Sequence, residues 1–328
     1  MELKDKTLLI TGIGGYLGLR TAEMALEQGM KVRGLEPDQE SAKKAKALGI
    51  EVLVGSTTQP EMIEAACKGG VDIVFHTESM IDPGGPIEPF RQVNVGGAIN
   101  AATIAKKAGA KTFLHISTIM VYGFKSPDWV TEDRPLQTEK NPLCQTKIES
   151  EQELLKLNDP NEFGIIIIRP GDIYGPNTHT WVLQPLELMQ KQQFVLINGG
   201  KGIISHVYLD NLIDGCFLAI EKEQYGETFN ITDGVKTTFK EFYDRLAAMV
   251  GCKNRISMPA VAVKAALRVQ GKELGIMPES VDFVTRSSTY SIEKAQKLLG
   301  YQPQVNLDEG MARVAESIVQ PELMARAS

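Results

Sequence analysis

The stretch Thr11-Gly12-Ile13-Gly14-Gly15-Tyr16-Leu17-Gly18 constrains the fold more than any other part of the chain. It follows an apolar run, Thr7–Thr11, and leads into a helical pattern, Leu17–Gln28. Glycines at 12, 15 and 18 let the backbone turn tightly out of a strand and approach a pyrophosphate at the start of a helix, where free N–H groups favour negative charge. A glycine trio alone says little, since a tight turn without a ligand has the same composition. Here the strand and the helix flank it, and Glu36 closes the next apolar run about 20 residues on. A carboxylate at that point accepts from both ribose hydroxyls of a dinucleotide.

The same alternation continues along the first half. Apolar runs Thr7–Thr11, Lys31–Leu35, Glu51–Val54, Val71–His76, Lys111–Ser117 and Gly164–Arg169 are separated by helical patterns at Glu40–Leu48, Glu61–Cys67, Val93–Lys107 and Cys144–Leu157. Continuous β-branched runs, such as the isoleucines at 165–168, suit strands buried on both faces, hence a parallel sheet. The expected fold class is α/β, a doubly wound Rossmann sheet. Residues 1–170 would form the dinucleotide-binding domain, and 171–328 a smaller mixed part that mainly binds substrate and sends segments back to the first. In that part, Thr238-Phe239-Lys240-Glu241 reads as a capping box opening a helix, and Ser291–Leu299 as a helix closed by Gly300.

Bulk properties exclude several functions. The formal charge of −6 gives no basic face for nucleic acid. Cysteines at 67, 144, 216 and 252 lie far apart, as do histidines at 76, 115, 179 and 206, so a structural role is expected for them and no metal site. The charged start, Met1–Lys6, and the lack of 18 consecutive apolar residues point to a cytoplasmic protein with no membrane association.

The glycine spacing, together with later landmarks in order, resembles the extended short-chain dehydrogenase/reductase family, which includes NAD-dependent epimerase/dehydratase and 3β-hydroxysteroid dehydrogenase-like proteins. The landmarks are Val71–His76, Asn94, His115-Ile116-Ser117-Thr118, Val121-Tyr122-Gly123, Arg169–Pro176 and Val207–Asn211. The resemblance implies NAD as cofactor, surrounded by Gly12, Gly15, Tyr16, Leu17, Gly18, Glu36, Ser56, Thr57, His76, Asn94, Lys147 and Pro170, and a homodimer paired through two helices. Two departures stand out. Ser56 occupies the position where family members commonly carry an aspartate that meets the adenine amino group, which leaves that contact open. Thr77-Glu78-Ser79 replaces small apolar residues beside the nicotinamide, which brings Glu78 within reach of the reaction site.

The family's reaction uses a tyrosine phenol as acid or base, a lysine four residues later that lowers its pKa from about 10, and a serine or threonine that fixes the substrate oxygen. Thr118 and Lys147 match the last two, and position 143 then holds leucine where the tyrosine belongs. Leu143 transfers no proton. Three explanations stand: a substitution that disables the enzyme, a member with another acid, or a fold that serves something other than redox chemistry. Glu78 is the leading replacement acid, with a solvated loop carboxylate as its plainer reading. Cys144, Tyr122, Tyr174 and His115 rank lower, as groups that pack.

On the substrate side, Ile204 stands near the place where nucleotide-sugar enzymes carry a diphosphate-binding arginine, and Pro259–Val269 forms an apolar helical stretch that could roof a pocket or simply join the core. The expected function is interconversion of a hydroxyl and a ketone on a largely apolar small molecule. The rivals are a lyase, isomerase or cyclase that works through Glu78 around a retained dinucleotide, and a silent dinucleotide-binding protein.

Overall fold

The computed structural model describes residues 1–81, 85–252, 256–274, 278 and 280–327. Its centre is a seven-stranded, all-parallel sheet. Six strands are β1 (Thr7–Thr11), β2 (Lys31–Glu36), β3 (Glu51–Val54), β4 (Ile73–His76), β5 (Thr112–Ile116) and β6 (Gly164–Pro170). Thr228–Ile231 supplies the seventh, beside β6. The order across the sheet is Thr228–Ile231, β6, β5, β4, β1, β2, β3. Strand order therefore reverses between β1 and β4, and ligands of such sheets lie outside the carboxyl ends at that reversal.

Strand residues alternate between two cores, as the pleat requires. Leu8, Ile10, Phe75, Leu114, Ile166 and Ile168 face one core, which helix α1 (Tyr16–Glu27) and the helix Leu209–Glu221 complete. Leu9, Val74, Phe113, Ile165 and Ile167 face the other, under Pro60–Cys67, Ala98–Lys107 and Pro142–Leu155. All four isoleucines of β6 are fully buried, each worth about 1.5–3 kcal/mol.

The sixth strand was legible as an unbroken apolar run, whereas Thr228-Phe229-Asn230-Ile231 was not, because Asn230 interrupts it. Asn230 is fully buried and accepts from the Tyr122 hydroxyl at 2.7 Å, so its polarity serves a contact rather than the surface. The helix expected from Val93 begins earlier, at Ile87, and passes through a π-turn over Arg91–Gly97. The helix expected from Cys144 begins at Pro142, capped by the Asn141 side chain, which puts Leu143 in its first turn. The capping box at Thr238 and Glu241 and the left-handed Gly300 that ends Glu293–Leu299 are both present.

The later residues carry a third core around Tyr174, Phe239, Phe242 and Leu246, with short strand pairs such as His206–Tyr208 beside Asp172–Tyr174. The helix Ala260–Leu274 shows much of its apolar surface to solvent, Val261 being 81% exposed. The Val269 side chain lies outside the described residues. Among the described residues no helix is long and apolar enough to cross a membrane.

Candidate functional site

The carboxyl ends of β1 to β5 define the site. Gly12 leaves β1 with a left-handed φ of +74°, and Gly15 starts α1 without a side-chain cap, so the first N–H groups of the helix have no partner from the N-cap side chain. A Cβ on Gly18 would sit 2.4 Å from the Gly12 carbonyl oxygen, so only glycine lets the first turn of α1 press onto the loop. Tyr16 and Leu17 follow in that turn, with Leu17 anchored in the core. The Glu36 carboxylate is 6% exposed and accepts from the Gly14 N–H at 2.8 Å and the Asp38 N–H at 3.1 Å. A bare helix start beside a carboxylate at the end of β2 fits the diphosphate and ribose of a dinucleotide.

Glu78 is tied to the turn after β3. Its carboxylate accepts from the Ser56 hydroxyl at 2.5 Å and the Thr57 N–H at 3.0 Å, just past β3. The replacement acid expected at position 78 thus has its carboxylate taken up by the turn after β3. Burial raises its pKa, partly offset by the Ser56 and Thr57 hydrogen bonds. Thr77 anchors this loop, its hydroxyl donating to the Thr11 carbonyl at 2.8 Å.

His76, also expected around the cofactor, has a fully buried side chain. Its Nδ1 lies 2.7 Å from the Thr11 hydroxyl, and its ring stacks on that of His115, its register partner on β5, with centroids 5.3 Å apart. His115 in turn meets the Ser150 hydroxyl at 3.1 Å. Burial, reinforced by the Lys147 charge, lowers both pKa values, that of His76 to about 3, so the pair stays neutral at ordinary pH.

The reaction end gathers Asn94, Thr118, Leu143 and Lys147. Asn94, fully buried in the π-turn, accepts from the Met80 N–H at 2.7 Å and donates to the Met80 carbonyl and to Thr146, so it fastens the loop after β4 to the helix Pro142–Leu155. Thr118 is half-buried and caps the short turn Ile119–Tyr122 through Met120. Lys147 is 4% exposed and donates to the Ile116 carbonyl at 2.8 Å. Burial lowers its pKa to about 8 against the opposing pull of Glu151. Leu143 is half-buried one helical turn before it. Pro170, at the end of β6, is buried.

The other acids considered for the missing phenol are occupied or enclosed. The Tyr122 hydroxyl accepts from Arg169 at 2.6 Å while donating to Asn230. Cys144 is fully buried against Phe124 and Phe283, and burial pushes its thiol up to about 12. Tyr174 is fully buried in the third core.

Met120, Trp181 and Val284 are partly buried against the Phe124, Cys144 and Phe283 cluster. Ile204 is fully buried in the third core and so lines no pocket. Two buried ion pairs escaped the sequence reading. Glu151 takes two hydrogen bonds from Arg169 and one from Ser117, and Asp172 pairs with Arg286, whose guanidinium lies 3.8 Å over the Phe283 ring. No spacing signals either pair, because the partners come from separate elements.

A sequence model of the NAD dependent epimerase/dehydratase family matches residues 8–232. The 4-hydroxy-2-methyl-3-oxo-4-farnesyl-3,4-dihydroquinoline-1-oxide ketoreductase of Stigmatella aurantiaca is 27% identical, covering 92% of this chain and 93% of its own. A 3-beta-hydroxysteroid dehydrogenase of Mycolicibacterium neoaurum is 28% identical, covering 93% and 89%. Among solved structures, UDP-glucose 4-epimerase from Thermotoga maritima superposes with a TM-score of 0.80 at 21% identity, covering 96% of this chain and 99% of its own. A short-chain dehydrogenase/reductase superfamily protein from Agrobacterium tumefaciens with bound NAD gives 0.75 at 20%, covering 98% and 100%. A glycine turn against α1, a carboxylate closing β2 and a family match across more than half of the sequence agree: the chain belongs to the NAD dependent epimerase/dehydratase family and is an NAD-dependent enzyme of the short-chain dehydrogenase/reductase type.

Proposed function

We propose that this protein is an NAD-dependent oxidoreductase that interconverts a hydroxyl and a ketone on a largely apolar small molecule, with its proton step slowed by Leu143. The observation that carries this reading is the buried Lys147 ammonium, one turn past Leu143, which donates to the Ile116 carbonyl at the end of β5. NAD, when bound, supplies or accepts the hydride. Thr118 would hold the substrate oxygen through its hydroxyl, and Lys147 would donate to the nicotinamide ribose hydroxyls. The glycine turn and Glu36 would hold the diphosphate and the adenosine ribose. With Glu78, Tyr122, Cys144 and Tyr174 engaged elsewhere, Lys147 is the nearest ionisable group on Leu143's helix face, and its lowered pKa lets it exchange a proton near neutral pH.

The apolar substrate class draws support from two directions. Arg286 is taken up by Asp172 and the Phe283 carbonyl, so its charge is already compensated rather than free for a diphosphate. Relatives along nearly the whole length include the farnesylated quinoline-oxide ketoreductase, the hydroxysteroid dehydrogenase and a 2-alkyl-3-oxoalkanoate reductase of Stenotrophomonas maltophilia.

The test is NADH consumption, followed by nicotinamide absorbance, across a panel of long-chain 3-oxo acids, 3-ketosteroids and UDP-sugars. Slow net oxidation with the apolar ketones is expected. Product formation from a UDP-sugar without net NADH change, at a rate above that of every apolar ketone, would overturn the reading.

A further inference from the structure

Two departures from the family pattern, a serine at 56 and a glutamate at 78, lie 22 residues apart in sequence and meet in space. The order of groups along the adenosine half of a dinucleotide maps onto the order of strands. The pyrophosphate would sit at the glycine turn after β1, and the ribose at the carboxylate closing β2. The base would then extend toward the end of β3, where Ser56 and Thr57 follow. That turn is where the Glu78 carboxylate rests, 7% exposed.

The Glu78 backbone is fixed, because Gly12 packs onto it so closely that a Cβ there would lie 2.9 Å from the Glu78 nitrogen. Its side chain is fixed by Ser56 and Thr57. A carboxylate offers about four acceptor positions, and the hydrogen bonds from the Ser56 hydroxyl and the Thr57 N–H leave acceptor capacity over. The charge that bears on it is that of another carboxylate, Glu36. A buried acceptor with spare capacity suits an N–H donor.

We infer that Glu78, held on the Ser56–Thr57 turn, recognises the exocyclic amino group of adenine, so that the carboxylate absent from the end of β3 is supplied from the end of β4. This makes Glu78 a residue of cofactor specificity rather than of proton transfer. It rests on the assignment of NAD as cofactor.

The test compares calorimetric affinities for NAD and nicotinamide hypoxanthine dinucleotide, in which a carbonyl replaces the amino group and would face the carboxylate oxygen to oxygen. The wild-type protein should prefer NAD by roughly tenfold to a hundredfold, the range for a hydrogen bond to a charged partner. In Glu78→Gln the carboxamide can turn either its oxygen or its N–H toward the base, so the preference should shrink to within about threefold. Equal wild-type affinities, or an unchanged ratio in folded Glu78→Gln, would overturn the inference while leaving the cofactor assignment intact. Failure of both dinucleotides to bind the wild-type protein would overturn both. The wild-type ratio needs no variant, so a folding defect in Glu78→Gln cannot shield the inference from refutation.

Discussion

Replacing Leu143 with tyrosine tests whether the reaction end is complete apart from one group. The backbone there is set independently of the side chain, since the Leu143 N–H donates to the Asn141 side chain at 2.9 Å. Lys147 lies four residues on, and residues so spaced on a helix have Cβ atoms about 5–6 Å apart, so a phenol at 143 would stand beside the ammonium. That cation favours the phenolate and lowers the phenol pKa from about 10 toward the operating range. Leu143 is only half-buried, so the larger ring should change stability by less than about 1 kcal/mol. A positioned general acid contributes about 10²–10⁴ in rate, or about 3–6 kcal/mol at 1.4 kcal/mol per factor of ten. Steady-state NADH oxidation with an apolar ketone, alongside calorimetric NAD affinity, reads the effect. Leu143→Tyr should raise kcat by that factor and leave the affinity unchanged. A folded variant that binds NAD as the wild type does and shows no gain would refute the reasoning.

Glu36→Ala should narrow the preference for NAD over its 2′-phosphorylated form, because the carboxylate that closes β2 would repel that phosphate; equal affinities before the substitution would contradict this. Glu151→Ala should cost about 3–5 kcal/mol in urea unfolding, since it leaves the Arg169 charge buried without its partner. The Lys147 pKa falls from 10.5 to about 8 on folding, so between those values the unfolded chain holds a proton that the folded chain has released. Stability contributed by this group therefore rises with pH across that window, whereas NADH affinity, which uses the ammonium, should fall as pH passes about 8. A flat affinity profile from pH 7 to about 9.5 would count against the ribose role.

Much of this architecture was legible because burial on two faces writes itself into the sequence as unbroken apolar runs. Ile165 to Ile168 divide alternately between two cores, as a strand buried on both faces requires. The glycine turn was legible for a steric reason, as only glycine fits against the Gly12 carbonyl at position 18. Glu78 shows where such reading ends. Its place in the loop after β4 followed from the order of strands, but the direction of its side chain depends on a hydroxyl and an N–H more than 20 residues earlier. Ile204 shows the same limit in reverse, since an apolar residue near an expected binding position proved to be core. The Arg286 and Asp172 pair joins elements 114 residues apart, a distance over which no periodicity carries information.

The central claim is that this site moves hydride between NAD and an apolar substrate despite Leu143. It is tested most directly with NADH carrying deuterium at its transferable position and an apolar ketone, with the product analysed by mass spectrometry. The account predicts one deuterium on the carbinol carbon for each NAD formed, slowly in the wild type and faster in Leu143→Tyr. Product that carries no deuterium, or turnover without any net formation of NAD, would contradict it.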